Sequence, residues 1–380
     1  MKWIINICFL LLLLAAVSCV ERESNDNIIN QDEFKVLPID IEAEKFKLPE
    51  VIDEIELMRF EEGQEGLITE VRLLNKEADK LIFTSPGEWD IFIYNQLGEL
   101  INKFNHKGEG PEEYHDIQNL WVENEQVFVF SKKSYRVLAY NLQGEFISST
   151  KLEEPYRDIF PLNKGYVAEH RDEDQNIILV FLDANFQKQS TTFSRKDEQD
   201  FLSLTLNTFN EYKGNVAYKS VLSDTIYLIS QDKELKPIIK LDFGNDWLWS
   251  DPEVQAKPDQ AMSFVSEKKK VWAVESHLGE RYIYLSYGLG FGEGVVTMFN
   301  RETGGQFRIE LKKKDGEYIG FYPIQWKGDR LLVSMPSYDA VDLITGLKSE
   351  QIKFRQGTTL EKIESSENPV LMWVKFKEEY

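Results

Sequence analysis

From about Val36 onward, short runs of β-branched and aromatic residues alternate with turns rich in Gly, Asn, Asp and Lys. Leu81-Ile82-Phe83, Ile91-Phe92-Ile93-Tyr94, Val127-Phe128-Val129-Phe130, Ile177-Ile178-Leu179-Val180 and Tyr282-Ile283-Tyr284-Leu285 are such runs. Short apolar runs bounded by turn formers read as buried strands, and no long stretch sustains helical periodicity. The body of the chain is therefore predicted to be nearly all β.

The pattern repeats. Ile93-Tyr94-Asn95-Gln96-Leu97-Gly98-Glu99-Leu100-Ile101 and Ala139-Tyr140-Asn141-Leu142-Gln143-Gly144-Glu145-Phe146-Ile147 lie 46 residues apart. Each is a strand ending in an aromatic, a turn whose glycine can take positive φ, and a returning strand. Weaker copies follow at Asp183, Ser230, Asn300 and Asp342, with successive anchor spacings of 46, 42, 47, 70 and 42. Self-similarity at this period indicates propeller blades, and six anchors predict a six-bladed β-propeller of four-stranded antiparallel blades over residues 36–380. The ring is expected to close by residues near Ile55 to Phe60 joining a sheet built from the C-terminus. The long spacing carries about 25 extra residues, Gly244 through Lys268, which are expected to form part of the rim of a binding face.

Composition adds an address and removes some partners. With 44 Lys plus Arg against 65 Asp plus Glu, the net charge is −21, which argues against nucleic acid because a phosphate backbone needs clustered cations. Aromatics make up 13% of the chain, too many for a disordered acidic polymer. Lys2 precedes an apolar run ending in Leu14, too short for a membrane span but suited to a secretory signal. It leads into Ala16-Val17-Ser18-Cys19, which resembles the bacterial lipobox. The expectation is a lipoprotein signal peptide at 1–18, a lipid on Cys19 and a flexible acidic tether through residue 35, placing the domain on the bacterial envelope at the outer membrane, facing periplasm or exterior. Loss of Cys8 with the signal leaves no free thiol, so disulfides, zinc-thiolate sites and cysteine nucleophiles drop out together.

Gly108-Glu109-Gly110-Pro111-Glu112-Glu113-Tyr114 resembles the glycine-proline phrase of NHL-like six-bladed propellers. Together with the lipobox, the early Ile55–Phe60 strand and the closing Glu367-Asn368-Pro369-Val370-Leu371, the chain is similar to six-bladed propeller lipoproteins of the Bacteroidota type. The resemblance implies a fold and an envelope location; its pattern supplies no catalytic residue.

Three groups of residues carry candidate chemistry. His106, His115 and Glu113 cluster in one interblade connection, where histidine and carboxylate could hold a ligand or could flank a structural turn. Trp247 and Trp249, in the long insertion beside Asp246 and Asp251, could stack on a sugar or capture a peptide side chain, or could pin the insertion to the propeller. Tyr287 through Gly294 has glycine at alternate positions, but a strand follows it rather than a helix, so it reads as a hairpin and not a phosphate cradle. No metal, cofactor or catalytic residue is assigned. The reading is a non-catalytic module that binds a small-molecule, glycan or peptide ligand or an envelope protein; the alternative is a glycan- or peptide-acting hydrolase or lyase with its site at the channel mouth.

Overall fold

The apolar runs become strands because neighbouring sheets cover them on both faces: Ile91, Phe92, Ile93 and Tyr94 are each no more than 1% exposed. The computed structural model describes residues 33–62, 67–174, 176–196, 208–313 and 316–378. The unit Lys35–Tyr380 contains six sheets. The signal, Cys19 and most of the tether fall outside the described residues.

Blade 1 is Arg72–Glu77, Lys80–Thr84, Ile91–Asn95 and Leu100–Phe104, and blade 2 is Asn119–Glu123, Gln126–Ser131, Arg136–Asn141 and Phe146–Lys151. Blade 3 is Asp158–Leu162, Gly165–Arg171, Asn176–Leu182 and Lys188–Lys196, and blade 4 is Phe209–Tyr212, Asn215–Tyr218, Thr225–Ile229 and Leu235–Asp242. Blade 5 is Val271–Leu278, Tyr282–Leu289, Glu293–Asn300 and Gln306–Glu310. Blade 6 takes Tyr322–Lys327, Arg330–Met335 and Val370–Phe376 from the C-terminal part and Ile52–Arg59 from the N-terminal part. Antiparallel pairing of Ile55 with Val374 and Leu57 with Met372 closes the ring where the sequence placed the closure. The core lies between blades: Ile82, Ile93, Val129 and Leu138 pack in one cluster, and Phe60, Phe83, Tyr94 and Leu371 in the next.

Five of the six anchors share one local device at the turn between third and fourth strands. Asn95 Oδ1 accepts the N–H groups of Leu97 and Glu99 at 2.9 and 3.0 Å, and its Nδ2 donates to Glu99 Oε2 at 2.6 Å. Asn141 does the same with Gln143 and Glu145. Asp183, Ser230 and Asn300 also accept turn N–H groups through their side-chain oxygens. Such short polar side chains close turns by mimicking the backbone, which is why the repeat is visible.

The sixth anchor is a correction. Asp342 lies in a helix, Ser337–Thr345, whose buried Ala340, Leu343 and Ile344 follow helical spacing. Blade 6 has no hairpin between third and fourth strands, because those strands come from opposite ends of the chain. The helix belongs to a second long insertion, residues 336–369, between strands two and three of blade 6. Three blades also exceed four strands. Lys35–Pro38 pairs in parallel outside blade 4, Lys45–Lys47 outside blade 5 and Ile352–Phe354 outside blade 6, covering edges that would otherwise expose unpaired backbone groups.

Candidate functional site

Alternating strand direction sorts the connections onto two faces. The turns within strand pairs one–two and three–four lie on one face, while the interblade connections and the two–three hairpins lie on the other. Both long insertions, 243–270 and 336–369, are of the second kind. They crowd the face where the innermost strands begin, at the mouth of the central channel.

One part of the mouth is a charged network across blades 2, 3 and 4. The Arg157 Nε lies 3.4 Å from Glu169 Oε1, and the Tyr218 hydroxyl donates to Glu169 Oε2 at 2.7 Å. The Ser131 hydroxyl donates to Asp116 Oδ1 at 2.8 Å, as does the Lys133 N–H at 3.1 Å. Asp158 Oδ1 accepts the Ile159 N–H at 2.8 Å and the Asn119 side-chain amide at 3.2 Å. Burial pushes the Asp158 carboxyl up to about 7, with the nearby Glu169 charge adding to the effect. Burial likewise holds the Lys132 ammonium below the ordinary lysine range, and the Arg157 guanidinium beside it acts in the same direction.

The other part is an aromatic and acidic shelf on blades 6 and 1. Tyr322, at the start of the innermost strand of blade 6, is 42% exposed, and Tyr338, in the first turn of the insertion helix, is 66% exposed. Asp339 fixes this shelf: its Oδ2 accepts the Gly320 N–H at 2.7 Å, and its Oδ1 lies 2.5 Å from Lys313 Nζ. Lys313 Nζ in turn stands 4.8 Å from the centre of the Tyr338 ring, and Lys312 Nζ 5.1 Å from that of the exposed Tyr318. Glu70 enters from blade 1, 3.8 Å from Arg72, and burial raises its carboxyl, with the Glu275 charge from blade 5 adding to the shift. Burial and the Glu70 charge raise the Tyr322 phenol in the same way.

The residues singled out in the sequence lie in segments of the same face, but their side chains are committed to packing and turns. Trp247 and Trp249 are 8% and 7% exposed. Trp247 stacks at 5.5 Å on Phe243 within the insertion, and Phe243 in turn meets the Tyr287 ring of blade 5 at 5.4 Å, while the Trp249 indole N–H donates to the Trp272 carbonyl of blade 5 at 2.6 Å, so both rings serve to pack the insertion. His106, Glu113 and His115 do come together in the connection between blades 1 and 2, but as parts of its turn. His106 Nε2 donates to the Gly144 carbonyl at 2.7 Å and stacks on Tyr140 at 4.8 Å. Glu113 Oε2 accepts the Gly110 N–H at 2.8 Å, and the His115 N–H donates to Ser131 Oγ at 3.2 Å. Among the described residues no three His, Cys, Asp or Glu side chains are grouped to hold a metal ion. Tyr287 through Gly294 is the hairpin the following strand implied.

A groove of about 550 Å³ lies between blades 1 and 2 on the opposite face, floored by Ile93 and Leu142. Its Lys80 pairs with Asp79 at 3.2 Å, and its Asn141 is committed to the turn. Convergent polar groups thus favour the channel mouth. The sequence does not single out Tyr322, Tyr338, Glu70, Lys132 and Arg157, because they are ordinary residues scattered over four blades. Their shared signal is positional, near the start of a first strand or the end of a second.

The family model described as "Domain of unknown function (DUF4934)" matches residues 34–375. A crystal structure of a Bacteroides fragilis NCTC 9343 protein described as exported is similar at TM-score 0.69 and 15% identity, covering 90% of this chain and 100% of that one. A DUF4221 family member from Bacteroides vulgatus ATCC 8482 aligns at TM-score 0.44 and 13% identity, covering 86% of this chain and 97% of that one. No curated protein matches. Among the described residues no helix is long and apolar enough to cross a membrane.

Proposed function

This chain belongs to the DUF4934 family, a domain of unknown function, and from that premise we propose that it is an envelope binding module that takes a glycan at the channel mouth. The observation that carries the reading is the exposure of Tyr322 and Tyr338 beside Glu70 at that mouth. Aromatic faces cover the apolar face of a sugar ring, and neighbouring carboxylates accept its hydroxyls. A lipid on Cys19 would hold the propeller at the outer membrane, where an exported location suits such a ligand.

A thermal-shift titration against oligosaccharides and short peptides tests the reading. A ligand at about 100 times its dissociation constant adds about 2.7 kcal/mol to the folded state. Loss of one stacking partner, in Tyr322→Ala or Tyr338→Ala, is expected to weaken binding roughly threefold to tenfold. A glycan bound equally well by both variants would remove the shelf from the site.

A hydrolytic reading draws on one further observation. Burial raises the Glu70 carboxyl against the opposing Arg72 charge, and the Glu275 charge at the same mouth adds to the rise, the direction of shift that suits a general acid beside a second carboxylate. Incubation with a bound oligosaccharide separates the two: cleavage abolished by Glu70→Gln marks an enzyme, and recovery of intact ligand marks a binding module.

A further inference from the structure

Glu70 and Tyr322 stand on neighbouring segments where blade 6 meets blade 1. The Val71 N–H donates to Ser334 Oγ at 3.1 Å, and Ser334 lies directly opposite Tyr322 across the first two strands of blade 6. Val71 also packs in one apolar cluster with Ile324, two residues along the strand from Tyr322. Tyr338 joins them because its neighbour Asp339 holds the Gly320 N–H, two residues before Tyr322. In this group the Glu70 carboxylate is partly buried and accepts no hydrogen bond among the described residues; its ion pair with Arg72 is 3.8 Å long. The lysines close by are engaged: Lys313 Nζ lies 2.5 Å from Asp339 Oδ1 and 4.8 Å from the centre of the Tyr338 ring, and Lys312 Nζ stands 5.1 Å from that of Tyr318. Tyrosines of the shelf thus already take ammonium groups on their faces. Burial raises the Tyr322 phenol, and the carboxylates that add to the shift, Glu70 and Asp339, make its surroundings negative.

We infer that this corner of the mouth takes an amino sugar, with its ammonium on Glu70 and its ring against Tyr322 and Tyr338. This rests on the glycan-binding reading above and adds the charge of the ligand to it. A partly desolvated carboxylate without hydrogen-bond donors gains most from a charged donor, because a charge-assisted bond is about twice as strong as a neutral one. An ammonium supplies several such donors and is attracted to the faces of the flanking rings as well. Burial, which raises the Glu70 carboxyl against the Arg72 charge, is offset by the same contact. An N-acetylated sugar offers only a neutral amide there, and an acidic sugar would meet Glu70 and Glu275 as like charges. The net charge of −21 draws a cationic ligand toward the protein in the same sense.

Calorimetric titration of the full chain with glucosamine oligosaccharides, each beside its N-acetylated counterpart, tests the inference at a pH where the sugar amine is charged. The free-amine member is expected to bind roughly tenfold or more tightly than the acetylated one. That advantage should shrink as salt is raised. Glu70→Gln should bring the two to within about threefold of each other, and Glu70→Asp, which keeps the charge, should retain part of the preference. Arg72→Met removes the competing cation and should widen it. An acetylated member that binds as tightly as the amine, or a Glu70→Gln protein that still prefers the amine, overturns the counter-ion and leaves the glycan reading standing. Lysine-bearing peptides that bind through Glu70 where no saccharide binds overturn the saccharide assignment, and the glycan reading falls with it. If neither the free-amine nor the acetylated sugars bind, both readings likewise fall together.

Discussion

Replacing Gly98 by Ala should cost far more than the same change at Gly304, although both residues sit in the turn between third and fourth strands of their blades. Their backbones are alike, with φ of +78° and +75°. A side chain in that left-handed region costs roughly 1–2 kcal/mol at either position. Their surroundings differ. A Cβ on Gly98 would stand 2.0 Å from the Arg59 carbonyl oxygen, on the N-terminal strand that closes the ring, whereas nothing lies within 4 Å of a Cβ on Gly304. The Gly98 carbonyl also accepts the Glu61 N–H at 2.7 Å, so the turn cannot move away freely. Relief of such a contact by backbone shift costs typically about 1–3 kcal/mol more. Gly98→Ala is thus expected to destabilise by about 2–5 kcal/mol and Gly304→Ala by about 1–2 kcal/mol. Urea unfolding followed by tryptophan fluorescence reads both as midpoint shifts at unchanged slope. Equal shifts would refute the claim that the blade 1 turn presses on the closing strand.

Further outcomes follow from other contacts. Asp158, raised to about 7, holds a proton in the folded state that the unfolded chain has already lost above its ordinary value near 4. Stability should therefore fall as pH rises from about 4 to 7, by up to about 1.4 kcal/mol per unit from this group. Asp158→Asn keeps an oxygen acceptor for the Ile159 N–H and should remove that slope, measured by urea midpoints across the range; an unchanged slope would place the titration elsewhere. Asn368→Ala strips the partner from the buried Ile68 N–H, bonded to Asn368 Oδ1 at 2.9 Å, and should cost about 1–3 kcal/mol in the same assay. Trp249→Phe keeps a ring but loses the bond to the Trp272 carbonyl; a loss near 1 kcal/mol with unchanged ligand affinity is expected, and weakened binding would return Trp249 to the site. Cys19→Ala should release the protein from membranes; retention after salt and carbonate washes would disprove lipid anchoring.

The propeller was legible in the chain because its signals are local. Asn95, Gly98 and Glu99 bond to one another within five residues, and Asn141, Gly144 and Glu145 repeat the arrangement 46 residues on. Turn chemistry of this range survives as sequence pattern whatever packs around it. The same reasoning misled at Asp342, where a polar residue followed by a glycine marks the end of a helix rather than a turn, because the buried positions beside it keep helical spacing.

The site had no such pattern. The repeating turns lie on the face opposite the channel mouth, and the mouth draws Glu70, Lys132, Arg157, Glu275 and Tyr322 from five blades. Their proximity exists only once Ile52–Arg59 pairs with Val370–Phe376 and the ring closes. Whether an aromatic is exposed was likewise a tertiary decision. In the chain Trp249 could stack on a ligand or pin the insertion, and its bond to a carbonyl 23 residues further on commits the indole to packing. Tyr338 was left outside by the helix whose first turn it occupies. Short-range hydrogen bonds wrote five of the blades into the sequence as a repeat, while the make-up of the sixth blade, the burial of tryptophans and the gathering of charges were settled by contacts between segments that only the closed ring brings together.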